Sequence, residues 1–177
     1  MTTSNVYVMP APWGSIELFE TSGELSALRP SLTAVQTPSS APEYIAEIMQ
    51  RLEAVLSVPQ RTSEEVREEL FRTTAYRRLP AFTRSVLELA ADIEPGQWMT
   101  YSEVAAAVGS PAAARAVGQA LAHNPFPVLI ACHRVCSSFE RSTFDILNPD
   151  TFRPQAYMGQ ASLAPVAQWL RLLDFSF

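Results

Sequence analysis

The chain contains no lysine; all 13 of its basic residues are arginine, against 18 acidic residues and a formal net charge of -5. That balance excludes a protein that coats polyanions over its whole surface. Only two cysteines occur, Cys132 and Cys136, too close in sequence to close a useful loop, so a disulfide framework is excluded and the core must hold the fold. No secretory or membrane-spanning apolar run is present, which points to a reducing, cytoplasmic setting and no membrane partner. One further absence is local. Between Glu103 and Glu140 there is no acidic residue, while Arg115, His123, His133 and Arg134 fall inside that window. An anionic partner is expected to dock there, unless the segment is simply buried and neutral.

Hydrophobic residues make up 47% of the 177 positions, enough for one medium or two small cores. Val6-Tyr-Val-Met9 and Ser15-Ile-Glu-Leu-Phe-Glu20 flank the turn-forming Pro10-Ala-Pro-Trp-Gly14 and predict a β-hairpin, to which Glu24 to Leu28 adds a third strand. After a Pro/Ser/Thr-rich stretch from Pro30 to Pro42, Ile45, Ile48, Met49, Leu52, Val55 and Leu56 recur at helical spacing. A second helix is expected from a Ser63 cap to about Tyr76. Arg77-Arg-Leu-Pro80 reads as a linker, and Phe82, Val86, Leu89, Ala90 and Ile93 form the next helical stripe. Thr100 then caps a short helix over Tyr101 to Val108, Gly109 breaks it, and Ser110-Pro111 opens another running to about His123. Helix, glycine turn and helix at this spacing predict a helix-turn-helix. Its second helix is unusual, because Ala112, Ala113, Ala114, Ala116, Gly118, Ala120 and Ala122 offer no side chain able to read base edges. Such residues permit close backbone approach in a narrow groove, with Arg115 the one long reach; the competing reading is a helix packed tightly on a neighbour.

The chemistry concentrates at Cys132-His-Arg-Val135. Val128-Leu-Ile130 predicts a buried strand that delivers Cys132 to its end. A thiol becomes nucleophilic when a cation or an imidazole relay lowers its pKa, and His133 and Arg134 follow it directly. His133 in turn needs a carboxylate to fix its tautomer, and Glu140, Asp145, Asp150 and Asp174 are the candidates that follow it. A buried cysteine beside a satisfied histidine is the competing reading. Cys132, His133, Cys136 and His123 are all the cysteines and histidines of the chain, but Cys-His-x-x-Cys lacks the paired spacing of a zinc site, so no metal and no cofactor are expected.

The ordered series of segments resembles the O6-alkylguanine-DNA alkyltransferases, also called methylated-DNA-protein-cysteine methyltransferases. Pro12-Trp-Gly-Ser-Ile-Glu-Leu18 with Gly23 to Leu28 is similar to their N-terminal hairpin, and Ile93 to Val104 to the entry of their helix-turn-helix. Ser110 to Gly118, Asn124-Pro125 and Cys132-His-Arg-Val135 follow in the family's order. The resemblance implies an α+β fold: an RNase H-like N-terminal domain over 1–76, a linker over 77–81, and a mainly helical, winged helix-turn-helix-like DNA-binding domain over 82–177. It implies single-turnover transfer of an alkyl group from O6-alkylguanine in double-stranded DNA to Cys132, by a monomer that enters the minor groove and flips the nucleotide. Arg115 fills the gap, Tyr101 presses on the phosphate and donates to the guanine ring, and Ala114, Ala116, Gly118 and Arg134 join the DNA contact. His133 takes the thiol proton through water, Asn124 fixes the network, and Asp174 stands where a glutamate is usual. Pro127, Tyr157 and Met158 are expected in the substrate pocket.

Departures from the family's pattern lie close to the chemistry. Ala131 replaces a proline, Gln155-Ala-Tyr157 a glycine-rich turn, and Ala167 a lysine. The segment from Ser137 to Pro154 is about a dozen residues longer than usual and carries three phenylalanines, which fits an aromatic lid or a satellite cluster that packs the loop down. Two alternatives therefore stand beside repair: a divergent relative that takes alkyl groups from another donor, and a module that binds lesions without transfer.

Overall fold

The computed structural model describes residues 3–35, 40–58, 62–143 and 157–174. Three strands form an antiparallel meander in the order β1 (Ser4–Ala11), β2 (Gly14–Thr21) and β3 (Glu24–Ser31). Met9 pairs with Ile16 and Leu18 with Leu28, which stacks their side chains on one face, and all four are buried. A register shift between Phe19 and Glu20 leaves Glu20 buried, where its carboxylate accepts from Asn5 Nδ2 at 3.0 Å, Tyr7 Oη at 3.1 Å and the Gly23 amide at 3.0 Å. The predicted hairpin and third strand are both present.

Helix α1 (Glu43–Ser57) closes over the sheet with Ile45, Ile48, Leu52 and Leu56, the spacing that the sequence displays. Ser63 caps α2 (Glu64–Arg72), but this helix does not run on to Tyr76. Thr73 is extended, with ψ 149°, and its hydroxyl accepts from the Tyr76 amide to start α3 (Thr74–Arg77). After a three-residue connection, α4 (Ala81–Asp92) buries Val86, Leu87, Ala90 and Ala91.

The short strand β4 (Met99–Thr100) feeds α5 (Tyr101–Ala107) through a capping box, in which Glu103 N donates to Thr100 Oγ1 at 3.2 Å and Thr100 N to Glu103 Oε2 at 2.7 Å. Gly109, at φ 74°, turns the chain. The next helix, α6 (Ala114–Ala122), starts later than Pro111, because residues 110–113 are held in a turn by Ala113 N donating to Ser110 O at 2.8 Å. Val117, Ala120 and Leu121 face the core, while Arg115 and Ala116 are exposed.

Val128 to Ile130 is not a strand. Val128 sits at φ 76°, and Ile130 N donates to Phe126 O at 2.8 Å, so the run folds into a buried turn. Cys132 opens a 3-10 turn (Cys132–Arg134), followed by β5 (Val135–Cys136), which pairs in parallel with β4. That pairing sets Met99 beside Val135 and Thr100 beside Cys136, and so brings the start of α5 next to the cysteine turn. Helix α7 (Ser138–Thr143) follows, and after a second 3-10 turn (Ala161–Leu163) the described chain ends with α8 (Ala164–Leu173). Three contacts brace this half against β3, the β1–β2 turn and the segment just before α2. Leu28 N donates to Pro125 O at 2.7 Å, Thr62 Oγ1 donates to Leu129 O at 2.6 Å, and the Trp13 and Trp169 rings meet edge-on at 5.3 Å.

Candidate active site

Cys132 is 7% exposed and lies against a cavity of about 140 Å³. The walls come from four places: Tyr101 on α5, Gly118, Leu121 and Ala122 on α6, the turn Tyr157 to Gly159, and Arg171 on α8, with His133 and Val135 beside the thiol. Of the pocket residues expected from sequence, Tyr157 and Met158 are there. Pro127 is buried in a bridge with Ile130 and does not reach the cavity wall.

The thiol donates to Tyr157 Oη at 3.6 Å. Burial dominates and holds the Cys132 thiol above its ordinary pKa, while its hydrogen bonds with Asn124 and Tyr157 and, to a smaller extent, the Arg171 charge act in the lowering direction. Burial likewise pushes Tyr157 well above the usual phenol range, so its hydroxyl stays protonated. Asn124, 2% exposed, ties the region together: its Nδ2 donates to Ile130 O at 3.2 Å and its Oδ1 accepts from the Phe126 amide at 3.0 Å.

His133 is 4% exposed, and burial lowers its pKa below the ordinary value, although Asp174 pulls the other way. The imidazole is therefore neutral at neutral pH. Nε2 lies 3.6 Å from Asp174 Oδ2, and Nδ1 makes no hydrogen bond among the described residues. Asp174 is mainly engaged elsewhere: Arg134 Nε donates to Oδ2 at 2.7 Å and Nη2 to Oδ1 at 2.8 Å. Arg134 also donates to Ile93 O at 2.8 Å and is 3% exposed. This corrects the expectation that Arg134 contacts DNA; its charge is consumed inside the protein. Burial alone would raise the Asp174 carboxyl, but the bonds from Arg134 and His133 outweigh it and the pKa is lowered.

Arg171 was not singled out in the sequence. It is 3% exposed; Nε donates to His133 O at 2.6 Å and Nη2 to Val135 O at 3.0 Å, and Nη1 lies 3.6 Å from Glu140 Oε1. The available signal was its place one residue after Leu170 in the buried stripe Val166, Ala167 and Leu170. On α6, Ala114 and Gly118 are half-buried; a Cβ on Gly118 would stand 4.0 Å from Tyr101 Cε1, so the helix lies against that ring. Of the long segment after the cysteine turn, Ser138 to Thr143 form α7 with Phe139 exposed, and 144–154, with the other two phenylalanines, lie outside the described residues.

The family model for the 6-O-methylguanine DNA methyltransferase DNA-binding domain matches residues 81–147. The chain thus carries a DNA-binding domain of that class. The methylated-DNA–protein-cysteine methyltransferase of Cricetulus griseus is 33% identical over 147 residues, covering 74% of this chain and 69% of that protein. The Rattus norvegicus methyltransferase is 37% identical over 102 residues, 57% of this chain but only 48% of that protein. In fold, the chain is similar to the crystal structure of Mycobacterium tuberculosis O6-methylguanine methyltransferase, with a TM-score of 0.68 at 22% identity over 98% of this chain and 94% of that one. The chain belongs to the methylated-DNA–protein-cysteine methyltransferase family.

Proposed function

We propose that this protein repairs O6-alkylguanine in double-stranded DNA by carrying the alkyl group away on Cys132, once per molecule. The observation that carries this reading is a buried thiol at a small cavity walled on one side by α6, whose outer surface shows Arg115 and Ala116. The thiol of Cys132, a residue only 7% exposed, cannot reach the oxygen of a stacked guanine, so the nucleotide must rotate out of the helix. The small residues of α6 suit entry into the minor groove, where Arg115 takes the place of the departed base. Tyr101, which begins α5 and lines the cavity, presses the phosphate as the nucleotide turns.

The chemistry follows from the hydrogen bonding. With Nε2–H of His133 directed at Asp174, the lone pair of Nδ1 remains to accept the thiol proton through a water. The sulfur attacks the alkyl carbon in line; the S–C bond forms as the C–O6 bond breaks, and the electron pair leaves on the guanine, which takes a proton from Tyr101. Regeneration would require breaking a thioether, for which the described residues of the site offer no nucleophile or leaving-group activation. In this reading 1–76 is an RNase H-like unit that braces the site, 77–81 its linker, and 82–177 a winged helix-turn-helix unit. It works as a cytoplasmic monomer without a cofactor.

Incubation with duplex carrying O6-methylguanine should remove one methyl group per protein molecule and then stop. Continued turnover, or tight lesion binding with no methyl loss, contradicts the reading; the second outcome would identify a lesion-binding module.

A further inference from the structure

The apolar face of α8 that packs into the core carries Val166, Ala167 and Leu170, and then a full positive charge, Arg171. A guanidinium taken out of water is tolerated only if its donors and its charge are answered. Here two donors go to the carbonyls of His133 and Val135, the residues that follow the thiol, and the ring face of Trp98 lies 5.4 Å from Cζ. We propose that Arg171 is the positioning residue of the acceptor thiol: it clamps the Cys132–Val135 turn through two backbone carbonyls and supplies the positive charge that steadies the developing thiolate.

Cys132 opens its 3-10 turn, and Arg171 binds carbonyls at 133 and 135. A planar fork that holds two such acceptors at once fixes the direction of the turn, and with it Sγ, in a way that an ammonium cannot. The surroundings of Sγ show why the charge falls to Arg171. Tyr157 and Asn124 offer neutral hydrogen bonds, Tyr101 and Cys136 are neutral with raised pKa values, and His133 is held neutral by burial. Arg134 and Asp174 are closed on each other by two bonds of 2.7 and 2.8 Å. Glu140 faces Arg171 from α7 at a looser 3.6 Å, while its Oε2 accepts from the Ser137 amide at 2.7 Å. Arg171 is accordingly the cation that pulls the buried thiol back toward ionisation. The site thus contains its own opposing control, because Glu140 offsets the charge that Arg171 lends.

The proposal rests on the transfer reading above, and its test does not need DNA. In the full-length protein, the pH dependence of Cys132 alkylation by iodoacetamide, located by peptide mass, reads the thiol directly. Arg171→Met should move the alkaline midpoint upward by about one pH unit or more. Arg171→Lys, which keeps the charge but not the two-carbonyl fork, should move the midpoint by less than Arg171→Met. Glu140→Gln, which keeps an acceptor for Ser137, should move it downward. An unmoved midpoint in folded Arg171→Met, or the same displacement in Arg171→Lys as in Arg171→Met, would overturn the proposal. Should Arg171→Met fail to fold, an unmoved midpoint in Glu140→Gln overturns it instead. Absence of methyl transfer from DNA by the parent protein, with these displacements intact, would count against the repair reading alone.

Discussion

Arg134 grips Asp174 at two points, with Nε to Oδ2 at 2.7 Å and Nη2 to Oδ1 at 2.8 Å, and Oδ2 of the same carboxylate stands 3.6 Å from His133 Nε2. One acid therefore serves two basic neighbours. The guanidinium fixes where the carboxylate points, and in the proposed mechanism the carboxylate sets which imidazole nitrogen keeps its proton. The pair is buried, with side chains 3% and 2% exposed, so its integrity is a matter of stability as well as chemistry.

Asp174→Ala should cost roughly 3–5 kcal/mol, because it strands a buried guanidinium. Urea denaturation reads the loss. Arg134→Ala should cost a similar amount without weakening DNA binding by the fraction that remains folded. A cost below about 1 kcal/mol for both would show that water already reaches the pair.

Acid should destabilise the protein in two stages. Burial first, then the charges of Arg134 and Arg171, holds His133 below its ordinary 6.5, with Asp174 opposing them. The unfolded chain takes up that proton near 6.5 and the folded chain does not, so stability falls as pH drops from about 6.5 toward the lower folded value. Asp174 has a folded pKa below its ordinary 3.8, so its contribution is present above 3.8 and is lost as pH falls through the lower folded value. His133→Gln should flatten the urea midpoint between pH 7 and 5. The same slope in parent and variant would show that the imidazole is not buried neutral.

Arg115→Ala should leave stability within about 0.5 kcal/mol, since the side chain is exposed. It should slow methyl transfer from duplex much more than transfer from free O6-methylguanine. Equal losses on both substrates would make α6 a structural helix rather than a flipping device.

Gly109 and Gly159 share a left-handed backbone, φ 74° and 73°, but only Gly159 lines the cavity, where an added Cβ would meet Ala122 Cβ at 3.4 Å. Alanine at either position should cost on the order of 1–2 kcal/mol in backbone strain. Only Gly159→Ala should also slow transfer, by narrowing the wall between the 157–159 turn and α6. Identical transfer rates in the two variants would place the substrate elsewhere.

Much of the fold is legible in local chemistry. The hairpin, the Ser63 cap and the Thr100 cap each follow from a few neighbouring residues, and all are present. Val128 to Ile130 has strand composition, yet Ile130 N donates to Phe126 O and Val128 adopts φ 76°, a local turn that the β-branched and apolar composition does not signal. Arg134 reads as a surface cation in the sequence because its partner lies 40 residues away. Arg171 does carry a signal: a charged residue inside a buried stripe marks a site where burial must be compensated.

The most direct measurement is the mass of the proteolytic peptide that holds Cys132 after incubation with duplex containing O6-methylguanine. One added methyl on Cys132, absent from a Cys132→Ala control, is the expected result. An unmodified Cys132 peptide from folded protein that binds the lesion, or a methyl group located on Cys136 instead, would contradict the assignment of Cys132 as the acceptor.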